Sequence, residues 1–193
     1  MAFGPGASRP LARWKVRKLL LFVASVFGVP VLLSAQYNLG RQATPEQIQA
    51  ANITVMTDGT GLPVGHGNAV AGEPVFKARC AVCHGPKGEG RKGEYPALVG
   101  GRGTLATPKP MKTVGSYWPY ATTVWDHINR AMPFNTPHIL PPNEVYAVTA
   151  FILHLNGIIS RDEQLTEKTL PKVVMPNRNG FVIDTRPDIK ARR

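Results

Sequence analysis

The sequence contains two cysteines, Cys80 and Cys83, and His84 follows the second directly. Two thiols separated by two residues, with an imidazole next in line, form the attachment pattern of a c-type haem. On a helix or tight turn, positions i and i+3 share one side, so both thiols can add to the vinyl groups of one porphyrin. The next residue then offers its imidazole to the iron from that same side. A proximal imidazole also needs an acceptor for its other ring nitrogen. Competing chemistries fit less well. A disulfide across two residues is open to a chain in an oxidising compartment. A thioredoxin-like dithiol requires a strand–helix setting, whereas Gly85-Pro86-Lys87-Gly88-Glu89-Gly90 reads as a loop. A structural zinc needs four ligands, and none of the five histidines stands at finger spacing. One such motif predicts one covalent haem c.

Haem iron takes a second axial ligand, and its identity separates electron transfer from catalysis. The methionines beyond the motif are Met111, Met132 and Met175. Met132 is the expected ligand. It lies 48 residues past His84, at the end of the helical stretch Thr122–Arg130, and Pro133 behind it stops the helix and turns the chain into a loop. Met111 sits in the extended run Pro108-Lys109-Pro110-Met111-Lys112, and Met175 lies beyond the last helix. Met132 as a core filler, His127, His138 or His154 as ligands, and an open site are the alternatives.

The elements that must position these groups are mostly helical. A helix is expected at Gly72–Ala81, with Val75, Phe76 and Arg79 leading into the motif. Residues 85–121 hold much of the Gly and Pro and read as loop wrapped round the haem. A further helix spans Asn143–Asn156, with Pro141-Pro142 at its start and Gly157 at its end. Val145, Val148, Phe151, Ile152 and Leu155 recur along it at three- and four-residue steps, so one face is buried. A short helix is expected at Pro45–Ala51, before the turn-rich run Asp58-Gly59-Thr60-Gly61-Leu62-Pro63. Residues 158–193 show little periodicity and end in a basic tail.

The chain carries 23 Lys and Arg against 12 Asp and Glu, a net charge of +11 in 193 residues. Arg9, Arg13, Lys15, Arg17 and Lys18 supply five of these charges ahead of any acidic residue, leaving +6 on the remainder. That balance favours acidic protein partners or an anionic membrane surface. The remaining cations are scattered and no reader motif accompanies them, which argues against nucleic acid. The basic start, the almost wholly apolar 15-residue run Leu19–Leu33 and the Ser34-Ala35-Gln36 junction have the order of an export signal. Fifteen residues fall short of the ~20 that cross a bilayer, although Ser34 and Ala35 lengthen the stretch. Residues 1–35 are therefore read as a signal peptide, with anchoring by residues 19–35 as the alternative. Either way the remainder is expected on the periplasmic side.

Over about residues 69–157 the pattern resembles the class I cytochrome c fold, a mainly α architecture of three to five helices around one covalent haem. In that family the first and last helices cross closely beside the haem; Gly72 and Ala147 match the small residues of the crossing, with Phe76 and Phe151 nearby. The resemblance implies that Pro96, twelve residues after His84, offers its carbonyl to the imidazole, and that Leu98 is an apolar haem contact. It divides the chain into the leader 1–35, an N-terminal extension 36–68, a cytochrome domain 69–157 and a C-terminal extension 158–193, both extensions loop-rich.

A narrower resemblance rests on Tyr37-Asn38-Leu39-Gly40-Arg41, Asp58-Gly59-Thr60-Gly61-Leu62-Pro63, Thr113-Val114-Gly115-Ser116-Tyr117-Trp118-Pro119-Tyr120-Ala121, Arg130-Ala131-Met132-Pro133-Phe134 and Met175-Pro176-Asn177-Arg178-Asn179-Gly180-Phe181. These look like the monohaem cytochrome subunit of sulfur-oxidising dehydrogenases (SoxD-like, with relatives in sulfite dehydrogenases). The resemblance implies pairing with a molybdenum-containing dehydrogenase subunit and passage of electrons to a downstream cytochrome or oxidase. The chain would then be an electron-transfer protein rather than an enzyme in its own right. Some members carry a second haem domain, and this sequence has no second motif. The extensions suit wrapping by a partner surface, or packing against the chain's own core. Lys77, Arg79, Lys87, Arg91 and Lys92 flank the motif and are candidates for steering an acidic partner. Tyr117, Trp118, Trp125 and Arg102 are candidate haem-wall or propionate contacts. Rival functions are a haem enzyme with an open axial site acting on peroxide or a sulfur compound, the cytochrome subunit of an unrelated respiratory dehydrogenase, and a redox or gas sensor.

Overall fold

The computed structural model of the protein describes residues 40–184, so the leader expected at 1–35 and the run Tyr37-Asn38-Leu39 lie outside the described residues. The described residues divide into two units between Gln49 and Ala50. Helix α1 (Pro45–Ala51) runs across this division and opens on a capping box. Gln47 N–H donates to Thr44 Oγ1 at 3.3 Å, and Thr44 N–H donates back to Gln47 Oε1 at 3.1 Å. Pro45 occupies the first helical position, where its missing N–H costs nothing.

The second unit is built on four helices: α2 (Ala69–Arg79), α3 (Ala81–His84), α4 (Ala121–Ala131) and α5 (Pro142–Leu155). Asn68 caps α2 by accepting Ala71 N–H at 3.0 Å. Helix α5 ends as its glycine predicts. Gly157 adopts φ +63°. Its N–H reaches His154 O at 2.8 Å and Ile158 N–H reaches Leu153 O at 3.0 Å, the paired bonds of a Schellman stop. Residues 85–120 contain no helix, as their Gly and Pro content implies; their one regular feature is a bridge between Arg91 and Tyr95.

Helices α2 and α5 cross where side chains are smallest. A Cβ on Gly72 would lie 1.9 Å from Ala147 O and 2.9 Å from Phe151 Cβ, so the backbones touch only because Gly72 has none. Around the crossing lie Phe76 and Phe151, ring centroids 5.2 Å apart, and Trp125 with Tyr146 at 5.4 Å. Phe76, Trp125, Tyr146 and Leu153 are fully buried, each stabilising the fold by about 1.5–3 kcal/mol through apolar burial.

Two short strands lie outside the helical pattern. β1 (His66–Gly67) pairs antiparallel with β2 (Leu165–Thr166), His66 opposite Thr166 and Gly67 opposite Leu165. The C-terminal segment thus returns to the one that precedes α2. It continues through a 3-10 turn at Leu170–Lys172 and buries Leu165, Leu170 and Met175 in the common core. The segment before α2 straps α4: Val55 N–H donates to Asp126 Oδ1 at 3.2 Å and Thr122 Oγ1 donates to Thr57 O at 3.1 Å. Arg130 donates to Ile53 O at 3.3 Å and to both oxygens of Asp126 at 2.7 and 2.9 Å. Within residues 50–184, both flanks are therefore used internally. No helix among the described residues is long and apolar enough to cross a membrane.

Candidate haem-binding site

Helix α2 breaks at Cys80 (φ −116°) and restarts as the single turn α3, which carries Cys83 and His84. The turn is held by Cys83 N–H and His84 N–H, both donating to Cys80 O, at 3.1 and 2.9 Å. Burial, and behind it the neighbouring Cys83, pushes the Cys80 thiol up to about 11.

The loop after α3 folds back on it. Gly90 N–H donates to His84 O at 2.7 Å, Leu98 N–H donates to Gly88 O at 2.8 Å, and the Arg91 guanidinium caps Val82 O. This return places Pro96 O 2.9 Å from His84 Nδ1. A carbonyl only accepts, so the proton sits on Nδ1 and Nε2 is left with its lone pair, the tautomer that a metal-binding imidazole requires. Pro96 thus stands where the resemblance implied. Leu98 is half-buried and packs against the core.

Met132 is the C-terminal cap of α4. Its N–H still donates to Ile128 O at 3.1 Å, while its own backbone is extended (φ −124°, ψ 143°) and joins Pro133 through a cis bond. Its side chain is half-buried against the core. Met175 is fully buried and serves as the core filler; Met111 is exposed on its loop. The rival histidines are engaged elsewhere: His127 edges onto Trp118 at 5.5 Å, His138 Nδ1 lies 3.4 Å from Asn129 O and His154 Nδ1 lies 3.3 Å from Ile159 O.

Among the described residues, one buried side-chain polar atom has no partner. Trp125 Nε1 is a donor enclosed by the core with nothing to accept its proton. A buried unpaired N–H costs about 1–3 kcal/mol, so it calls for an acceptor such as the carboxylate of a bound cofactor. Two free cysteines, an oriented imidazole with an open Nε2 and this orphan donor fit haem c. Of the other candidate wall residues, Arg102 donates to Asn156 O at 2.9 Å and Tyr117 stacks edge-on with Phe181 at 5.2 Å. Among the flanking cations, Lys77 pairs with Glu73 at 2.7 Å and Arg91 with Glu94 at 3.5 Å, while Lys87, Arg79 and Lys92 stay exposed. A surface pocket of about 420 Å³ between His66, Asn68, Asn143 and Gln164 includes none of the motif residues.

Two features escaped the sequence reading. The Asp126–Arg130 pair was visible as an i,i+4 couple, but nothing marked residues 53–55 as its target. Asn156, whose amide bridges α5 to the haem loop, reads in sequence only as a helix-end residue.

The Cytochrome c family model matches residues 69–156. The crystal structure of the sulfane dehydrogenase SoxCD from Paracoccus pantotrophus aligns with a TM-score of 0.72 and 43% identity, covering 80% of this chain and 76% of that one. Thiosulfate dehydrogenase TsdBA from Marichromatium purpuratum, as isolated, aligns at 28% identity over 45% of this chain and 17% of that one; its TM-score of 0.34 is too low to carry structural weight. No curated protein sequence matches the chain significantly. The extended similarity to a SoxCD chain, the matched domain and a motif folded as attachment requires lead to one conclusion: the chain belongs to the cytochrome c family and binds haem c covalently.

Proposed function

We propose that this chain is the monohaem electron-transfer subunit of a sulfur-oxidising dehydrogenase, taking single electrons from a molybdenum-containing catalytic subunit and passing them to a downstream cytochrome. Cys80 and Cys83 would hold the haem as thioethers, and His84 and Met132 would bind its iron. When bound, the group supplies a one-electron ferric–ferrous couple. The protein's residues do the rest. Pro96 fixes the imidazole, α4 and its strap set the position of Met132, and the core excludes water. On this reading the chain carries electrons and the chemistry on sulfur belongs to the catalytic subunit. Export by residues 1–35 places it in the periplasm, released or anchored.

The observation that carries this reading is the His84–Pro96 bond inside a chain 43% identical to one of SoxCD. The exposed Lys87, Arg79 and Lys92 suit an acidic partner face. The test is purification of the native complex, a molybdenum assay, and stopped-flow absorbance of the haem after adding sulfane sulfur, sulfite or thiosulfate. Molybdenum in the complex and haem reduction dependent on a sulfur compound are expected. Their joint absence removes the sulfur assignment while leaving the carrier role standing.

A further inference from the structure

We infer that Asn156 is a positioning residue for the proximal haem ligand, acting through the loop that carries Pro96. This rests on His84 ligating the iron. All hydrogen-bonding atoms of the Asn156 side chain are engaged. Nδ2 donates to Leu98 O at 3.1 Å and to Ile152 O at 2.9 Å, while Oδ1 accepts Gly100 N–H at 3.2 Å. One amide therefore grips the loop on both sides of Val99 and ties it to the last turn of α5. Arg102 adds a bond from the loop to Asn156 O at 2.9 Å. The seat is shaped for this side chain, because a Cβ on Gly115 would lie 2.0 Å from Asn156 Oδ1.

Pro96 stands two residues before Leu98. Its carbonyl is fixed from the preceding side by the Arg91–Tyr95 bridge, with bonds of 2.9 and 3.0 Å, and from the following side by the Leu98 and Val99 N–H groups on Gly88 O, at 2.8 and 3.2 Å, and by Asn156. A carbonyl so held keeps its bond to His84 Nδ1 short. That bond raises the electron donation of Nε2 and favours ferric iron. Removing the amide lets residues 96–100 drift, weakens the bond and favours ferrous iron. Asn156 thus sets redox equilibrium from a position that touches neither the imidazole nor the motif.

The experiment uses the haem-loaded full chain with Asn156→Ala and Asn156→Leu, the latter filling the volume without hydrogen bonds. Leu165→Ala serves as a control that loosens the core at β2. Two quantities are read: the reduction potential, and the exchange rate of the His84 Nδ1 proton by NMR of the ferrous protein. Either Asn156 variant is expected to raise the ferrous:ferric ratio at fixed ambient potential about threefold or more, and to speed the proton's exchange about tenfold. Leu165→Ala lowers stability and moves neither. An unchanged or lowered ratio in both Asn156 variants, or an equal shift in the control, overturns the inference. Absence of the proton signal from the parent protein would instead overturn the ligation by His84.

Discussion

Replacing Gly72 with alanine tests the helix crossing on which the fold turns. In an ordinary helix interior the change stabilises by about 1 kcal/mol, because glycine is the poorer helix former. Here the new methyl would meet backbone, Ala147 O at 1.9 Å and Ala147 C at 2.4 Å, with Phe151 Cβ at 2.9 Å. Ordinary contact begins near 3.4 Å, so α2 and α5 must part by about 1.5 Å. Parting them also strips contacts from Phe76 and Phe151, whose rings meet beside the crossing. Overpacking of this kind costs about 1–3 kcal/mol, and rigid backbone on the receiving side puts this case at the upper end. After the propensity gain, the expected loss is about 2 kcal/mol, or a drop in Tm of roughly 4–8 °C for a chain of this size. Guanidinium unfolding of the haem-loaded protein, followed at the Soret band and by circular dichroism, measures it. A neutral or stabilised Gly72→Ala protein would falsify the close crossing, since the sign reverses if the methyl finds room.

Three further outcomes are expected. Met132→Ala abolishes the absorbance band of iron–methionine ligation, lowers the reduction potential and admits cyanide rapidly; retention of the band moves the ligand elsewhere. Asp126→Ala costs about 1–2 kcal/mol by orphaning Val55 N–H and Arg130, and a double-mutant cycle with Arg130→Ala is non-additive; strict additivity in denaturant melts would break the strap into unrelated contacts. Association with an acidic redox partner slows by on the order of tenfold as ionic strength rises through the physiological range, and salt-independent rates would remove Lys87, Arg79 and Lys92 from the docking face.

What could be read from residues alone follows the range of the forces involved. The haem motif is local, and so is the stop of α5, where Gly157 supplies a backbone conformation that few residues accept. Helix α4 was bounded to within a residue at each end, because its apolar face and the Met132-Pro133 terminus are written in adjacent positions. The β1–β2 pair was not legible. Two residues per strand carry no alternation, and His66 and Thr166 are brought together only by the packing between them. The strap on α4 and the Asn156 bridge share this character, spanning more than fifty residues through single polar atoms. Whether the flanks fold inward was open in sequence because Pro, Gly and aromatic residues serve either use; Leu165, Leu170 and Met175 show residues 165–175 turned inward.

The pairing of β1 with β2 makes the order of synthesis matter. Cys80, Cys83 and His84 leave the ribosome some eighty residues before Leu165 does, so the attachment peptide is complete before the partner of β1 has been made. Long-range closure of this kind is slow, since the ends of a long loop must meet before any contact rewards them. The segment that closes the core through Leu165, Leu170 and Met175 is therefore made after the attachment peptide. A copy ending before residue 165 would lack Leu165, Leu170 and Met175 and would leave the apolar groups they cover facing water.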